Sequence, residues 1–381
     1  MNRILILGGS HRDIPLIGAC KDLGYYVITL ANLDGYIGHH YSDKYYKIDF
    51  NDGEAVKEII RKEGVSYIIP GCGEASYLKT VELCEELRIG NLDSFETAKI
   101  VHNKWLFKEF CLSNGISTPA GVFYEDGVGV NLRFPVLVKP TNLSGGRGVR
   151  VVNDETGMIR AIEEAQKYSR EIFIEEFVQG DLMACSVILQ NNKVSYIFTG
   201  LDVSYENKYL ISTAFPYELS DKATRKVISD IETISSGLGL CDGMFHLQVI
   251  LRSDVPYIID VTRRIPGDLF PFLIEECDGI EYSRAVVKLY TTGVLDRELE
   301  SKFTSPKCVV RHVTMSDKSG VYKGVSIDEE ISKNMIYRLD LVSPGSEIVD
   351  YLTTQISILL FYYDADRLDV NFNRLISVDV E

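Results

Sequence analysis

Six residues within one short stretch combine types that could hold a cation against an anion: His246, Gln248, Asp260, Thr262, Arg263 and Arg264. Residues 243–268 read as two strands, 245–251 and 256–261, joined by the polar turn Arg252-Ser253-Asp254. Side chains alternate faces along a strand, so His246, Gln248 and Ile250 share one face and Phe245, Leu247 and Val249 the other. Asp260 follows Gln248 by twelve residues and can lie opposite it on the paired strand. An amide oxygen and a carboxylate facing together, with arginines beside them, form a hard-oxygen pocket. Mg²⁺ bound to phosphate wants such a pocket, because phosphate and water complete its shell. An amphipathic hairpin with a polar outer face satisfies the same pattern, and on this stretch alone the two readings stand level.

A second group concerns phosphate. Residues 134–140 read as a strand that delivers Lys139, and Ser144-Gly145-Gly146-Arg147-Gly148 follows as a glycine-rich loop before another strand. Glycines let the backbone approach a ligand and turn N–H groups toward an anion, and lysine adds a compact charge. A flexible hairpin turn explains the glycines but not the strand-terminal lysine. Glu175-Glu176-Phe177-Val178 closes a later strand with two acids, and Asp181 comes soon after. Lys104 stands in a helix expected over residues 97–114, where a solvated lysine is the plain alternative. Glu74 lies just past the strand 67–69, where open α/β sheets bind ligands; a solvated loop acid fits there too.

The elements that must position these groups begin with a β-loop-α-β opening, the start of a parallel sheet covered by helices. Its Gly8-Gly9-Ser10 loop lacks the Gly-x-Gly-x-x-Gly spacing of dinucleotide folds, which counts against a nicotinamide oxidoreductase. The middle of the chain is rich in strands, with an amphipathic helix over 223–238 and one more helix over 275–292. The last stretch, from 307, alternates short strands and turns. With 381 residues the chain has room for two to three domains, and a net charge of −15 argues against bulk binding to nucleic acid or anionic membrane. Its eight cysteines are scattered without a Cys-x-x-Cys pair, the pattern of reduced thiols rather than a disulfide frame or zinc site. The N-terminus is too short in apolar residues for a signal peptide, and no run reaches the ~20 needed to span a bilayer. A cytoplasmic protein is expected.

Taken in order, these pieces resemble the ATP-grasp superfamily, nearest to its carboxylate–amine ligase and carbamoyl-phosphate-synthetase-like branch. The resemblance covers about residues 1–300. It implies an α/β (α+β) chain: an N-terminal open parallel α/β sheet (1–97), a central ATP-grasp fold of two α+β subdomains (98–300, with a lid at about 118–182), and a small β-rich C-terminal domain (301–381). It implies ATP with Mg²⁺, or Mn²⁺ in its place. Lys104 and Lys139 would contact the phosphates, and Ser144, Gly145, Gly146 and Gly148 would close over them. Glu175, Glu176, Phe177 and Val178 would hold adenine largely through backbone groups, with Asp181 near the ribose. Gln248 and Asp260 would hold the metal, and Arg264 would stabilise charge on the transferred phosphoryl group or acyl phosphate. The family usually has Glu at both metal positions and Asn where Thr262 stands. Gln248 and Thr262 therefore motivate a second expectation, an ATP-binding protein of impaired catalysis with a regulatory or assembly role. His246 is expected to be structural, and the paired Arg263-Arg264 to face an anionic substrate. The expected activity is C–N ligation through an acyl phosphate, joining a small carboxylate and an amine and releasing ADP and phosphate. A homodimer is the family expectation, with no nucleic-acid or membrane partner.

Overall fold

Continuous apolar runs open the chain as strands buried on both faces. In the computed structural model, which describes residues 2–126, 130–140, 148–205, 207, 210–300, 307–367 and 372–381, β1 (Arg3–Leu7) and β2 (Tyr26–Ala31) are such runs, β3 (Lys44–Lys47) is a polar, half-exposed edge strand, and β4 (Val65–Pro70) is buried in its second half. They pair in parallel in the order β3-β2-β1-β4. Helices α1 (Ile14–Asp22), α2 (Gly53–Glu63) and α3 (Glu74–Leu87) accompany them, so that Ile4, Leu5, Ile6 and Leu7 are fully buried. The Gly8-Gly9-Ser10 loop is already occupied. Asp13 accepts from the N–H groups of Gly9 and Ser10, both at 2.8 Å, and from Cys72 N–H at 2.7 Å. Backbone donors that would cradle a dinucleotide phosphate are thus spent on an internal carboxylate.

The single helix expected over 97–114 is two: α4 (Phe95–His102) and α5 (Lys104–Ser113). Asn103 takes extended dihedrals (φ −93°, ψ 110°), and its side-chain oxygen accepts from the N–H groups of Trp105 and Leu106 at 3.1 and 3.0 Å. It ends one helix and caps the next, which puts Lys104 at the first turn of α5.

A four-stranded antiparallel sheet follows: β5 (Gly121–Phe123), β6 (Val136–Pro140), β7 (Arg150–Val152) and β8 (Ile172–Glu176), in the order β5-β8-β6-β7, with α6 (Glu155–Ala165) against it. The strand that carries Lys139 pairs with the strand after the glycine loop, Val138 facing Arg150. Ser144, Gly145 and Gly146 lie outside the described residues. Gly148 takes φ 76°, a conformation that glycine adopts without steric cost.

The remaining elements build one large sheet and its covers. They are β9 (Asp181–Gln190), β10 (Lys193–Val203), β11 (Thr213–Pro216), α7 (Asp221–Leu238), β12 (Gly243–Arg252), β13 (Val255–Thr262), α8 (Phe270–Asp278), α9 (Tyr282–Thr291) and β14 (Lys307–Met315). After them come β15 (Gly320–Ile327), α10 (Glu329–Lys333), β16 (Met335–Asp340), β17 (Glu347–Ile348), β18 (Gln355–Asp364) and β19 (Ile376–Val380). Eight strands join antiparallel in the order β13-β12-β9-β10-β11-β14-β18-β16, while β17-β15-β19 form a small separate sheet. On one face Leu247 and Val187 pack with Val227 and Ile231 of α7 and Phe107 of α5; on the other, Met244 and Ala184 pack with Leu273 of α8, Val286 of α9 and Leu16 of α1. The helix expected over 275–292 is split at Gly279, whose φ of 62° ends α8.

Candidate active site

Alternation along β12 and β13 does the first positioning. Gln248 pairs directly with Asp260, and His246 with Thr262. The register shifts just beyond, where Val249 pairs with Ile258, so Ile259 is the extra residue of a bulge beside the pair. Gln248, Asp260, Thr262 and Arg264 line a cavity of about 200 Å³ together with Glu74 from the first turn of α3. An adjoining cavity of about 30 Å³ shares Glu74 and Asp260 and adds Lys104 and Lys108. Lys104 Nζ lies 3.8 Å from Asp260 Oδ2. Among the described residues no group of three His, Cys, Asp or Glu side chains converges as a self-sufficient metal centre. One carboxylate and one amide oxygen at an open cavity fit a Mg²⁺ that brings phosphate oxygens with it.

Glu74, offered by the sequence as either a site or a solvated acid, faces this cavity. Burial raises its carboxyl above the usual range and Asp260 adds to the effect, while Lys104 and Arg264 oppose it. His246 is held from behind: its Nδ1 lies 2.7 Å from Ser186 Oγ and its ring meets Phe270 edge-on at 5.4 Å. Burial, then Arg264, lowers its pKa to about 3, so the imidazole is neutral at ordinary pH. His102 also lines both cavities, stacked on Tyr77 and lowered to about 4 by burial and by Arg264.

The two neighbouring arginines, expected to act together, point apart. Arg263 is buried and forks onto Asp93, Nε to Oδ2 at 2.8 Å and Nη2 to Oδ1 at 3.1 Å. It also donates to the carbonyls of Met244 and Cys241, at 2.5 and 2.7 Å, while Tyr77 hydroxyl donates to Asp93 at 2.8 Å. Arg263 therefore ties the sheet to the segment before α4 and presents nothing to a substrate. Arg264, one step along, turns to the cavity, and its Nε finds no hydrogen-bond partner among the described residues.

Lys108, which lines the smaller cavity, bonds through Nζ to Glu175 Oε2 and to the carbonyl of Pro119, and Lys139 Nζ bonds Glu175 Oε1 at 2.6 Å. Phe173 lies beneath both ammonium groups, 5.0 Å from Lys108 and 5.3 Å from Lys139. Burial pushes the Glu175 carboxyl up, but the two lysines outweigh it and hold it below the usual carboxylate range. Glu175, expected among backbone contacts to adenine, thus uses its side chain to gather two cations. The N–H groups of Glu176 and Phe177 donate to the carbonyls of Ala120 and Pro135 at 2.8 and 2.9 Å, so neither is open to a ligand. Asp181 is exposed at the start of β9. Lys108 was not singled out from the sequence. Its signal was the four-residue step from Lys104, which puts both on one side of a helix.

The chain resembles known proteins in sequence and in fold. The family described as D-ala D-ala ligase C-terminus matches residues 123–291. A formate-dependent phosphoribosylglycinamide formyltransferase of a Nitratiruptor species is 24% identical over 315 residues, covering 80% of this chain and 79% of its own. Dapdiamide A synthase of Enterobacter agglomerans is 25% identical over 300 residues, covering 71% and 68%. The crystal structure of an L-amino acid ligase from Bacillus licheniformis superposes with a TM-score of 0.82 at 17% identity, over all of this chain and 98% of that one. The chain has the fold of the ATP-grasp structures. Its sequence likenesses support the carboxylate–amine ligase branch of that superfamily.

Proposed function

We propose that the protein joins a small carboxylate to an amine at the expense of ATP. The observation that carries this reading is the cavity shared by Gln248, Asp260, Arg264 and Glu74, with Lys104 at its edge. A carboxylate oxygen attacks the γ-phosphorus, the bond to the β–γ bridging oxygen breaks, and ADP leaves. The amine lone pair then attacks the acyl carbon and phosphate departs with the electron pair of the broken C–O bond. Chemistry of this kind needs positioning and cationic stabilisation rather than a side-chain nucleophile. Lys104 and Lys139 neutralise phosphate charge, the latter by leaving Glu175. Arg264 meets the charge that grows on the reacting acyl group, the role for which its unpartnered Nε is suited. Gln248 and Asp260 would hold Mg²⁺, which supplies charge neutralisation on the phosphates when bound. Residues 175–178 take the adenine and Asp181 the ribose, with residues 144–148 as the covering loop and 118–182 as the lid subdomain that carries it. Free, mostly buried cysteines support a reducing, cytoplasmic setting, and a homodimer is part of the same proposal.

The test is ADP release by the purified protein with ATP and Mg²⁺ against pools of carboxylates and amines, with Lys139→Ala alongside. Turnover that needs one acid–amine pair and vanishes in the variant supports the ligase. Tight ATP binding with no release from any pool favours the impaired ATP-binding protein that Gln248 suggests. Failure to bind ATP sinks both.

A further inference from the structure

The side chains on either side of Asn103 reach one cavity, which a single helix could not arrange. His102, the last residue of α4, and Lys104, the first of α5, both line the cavity of about 30 Å³ beside Glu74 and Asp260. Residues two apart on one helix stand about 160° apart around its axis. A continuous helix over 95–113 would therefore turn one of the two away. The break at Asn103 lets both face the same space.

Asn103 makes the break with its backbone and its side chain together. Its N–H donates to the Lys99 carbonyl at 3.0 Å and closes α4, and its carbonyl accepts from Phe107 N–H at 2.9 Å and opens α5. Its side-chain oxygen holds the N–H groups of Trp105 and Leu106 while its own dihedrals stay extended. Away from the joint the helices are anchored on different neighbours. Ala98 of α4 packs with Tyr77 and Val81 of α3, and Cys111 of α5 with Leu247 of β12 and Val227 of α7. Between those anchors the joint is made by one exposed residue. Beyond it Trp105, the only tryptophan in the sequence, meets Phe123 of β5 and Phe173 of β8 at 4.9 and 5.7 Å between ring centres. The first turn of α5 is thereby seated on the four-stranded sheet, with Lys104 Nζ 3.8 Å from Asp260 Oδ2.

We propose that Asn103 is a positioning residue, whose cap sets the angle at which α5 presents Lys104 to Asp260 and to the phosphates of ATP. The phosphate contact rests on the ligase reading; the placement of Lys104 and Trp105 does not. Serine offers a side-chain acceptor of the same kind at a helix start, and alanine offers none.

The experiment compares Asn103→Ala and Asn103→Ser in the full chain by two readouts. One is calorimetric titration with a non-hydrolysable ATP analogue and Mg²⁺; the other is the fluorescence emission of Trp105. Asn103→Ala should weaken analogue binding about fivefold and shift the emission, and Asn103→Ser should keep both near the parent. Asn103→Ala combined with Lys104→Met should bind no more weakly than Lys104→Met alone, because effects that act through one side chain do not add. Ser220→Ala removes a cap of the same kind from α7, where Ser220 Oγ accepts from Ala223 N–H at 3.2 Å. It should lower the melting temperature about as much as Asn103→Ala and leave analogue affinity unchanged. Unchanged affinity in Asn103→Ala, an equal loss in Ser220→Ala or Asn103→Ser, or losses that multiply in the double variant overturns the proposal. If the parent binds no analogue, the ligase reading fails and the emission decides. A shift in Asn103→Ala that is absent in Asn103→Ser then upholds the placement, and an unmoved emission overturns it.

Discussion

Adjacent residues with the same side chain serve opposite ends here, and Arg263 and Arg264 test that directly. Arg263 is locked in a buried fork with Asp93, so Arg263→Met leaves a buried carboxylate without its cation. That variant should lose about 3–5 kcal/mol of stability in urea unfolding. Arg264→Met should stay within about 1 kcal/mol of the parent and lower ADP release about a hundredfold or more. Equal effects of the two on stability would refute the assignment. At this scale the sequence showed residue types and spacing well: Gln248 does face Asp260. It could not show which of two consecutive arginines is buried, because that depends on Asp93, 170 residues away in the chain.

Elements were legible where local chemistry decides and less so where a cap interrupts a good periodic pattern. The β12–β13 hairpin turns through Ser253 and Asp254, both left-handed at φ 51° and 62°, and the apolar alternation on either side fixed its register. The break between α4 and α5 rests on one asparagine inside an otherwise helical run. The break between α8 and α9 was marked by Gly279 but bridged by the apolar period around it. That second joint carries a titratable group. Glu275 of α8 accepts from the N–H of Ser283 in α9 at 2.8 Å, and burial raises its carboxyl to about 7, with the Ser283 bond opposing. The folded chain therefore keeps a proton that the unfolded chain gives up near pH 4. Stability contributed by that proton is lost as pH rises from about 4 to 7. Glu275→Gln should be nearly neutral at pH 4.5 and more stable than the parent at pH 8, by up to about 3 kcal/mol. Parallel urea midpoints at both pH values would contradict the assignment.

Over the whole molecule, the strands after residue 307 are less an appendage than a continuation. Thr213 and Ala214 of β11 pair with His312 and Arg311 of β14, and Phe215 shares a core cluster with Cys308, Val310 and Phe361. The turn-rich composition of this stretch pointed to a small β cap; its joining of the central sheet depends on contacts far apart in the chain. Limited proteolysis should not release a stable fragment ending near residue 300, and heat should unfold the central and C-terminal parts in one transition. A soluble, separately melting fragment of that length would show that the shared sheet is not cooperative. No helix among the described residues is long and apolar enough to cross a membrane.

The grip of two lysines on Glu175 has a kinetic meaning. Lys139 is the more accessible of the two, its side chain 25% exposed against 8% for Lys108. On the function proposed above, the phosphates of ATP would compete with Glu175 for Lys139, and the transfer would exchange one anion for another. Lys108 would stay behind, so the buried carboxylate would never be stripped of both cations during the exchange. Lys108→Met would make Lys139 the sole partner of Glu175 and so reluctant to leave. Stopped-flow measurements should then show slower ATP association and weaker binding, although Lys108 itself need not touch the nucleotide.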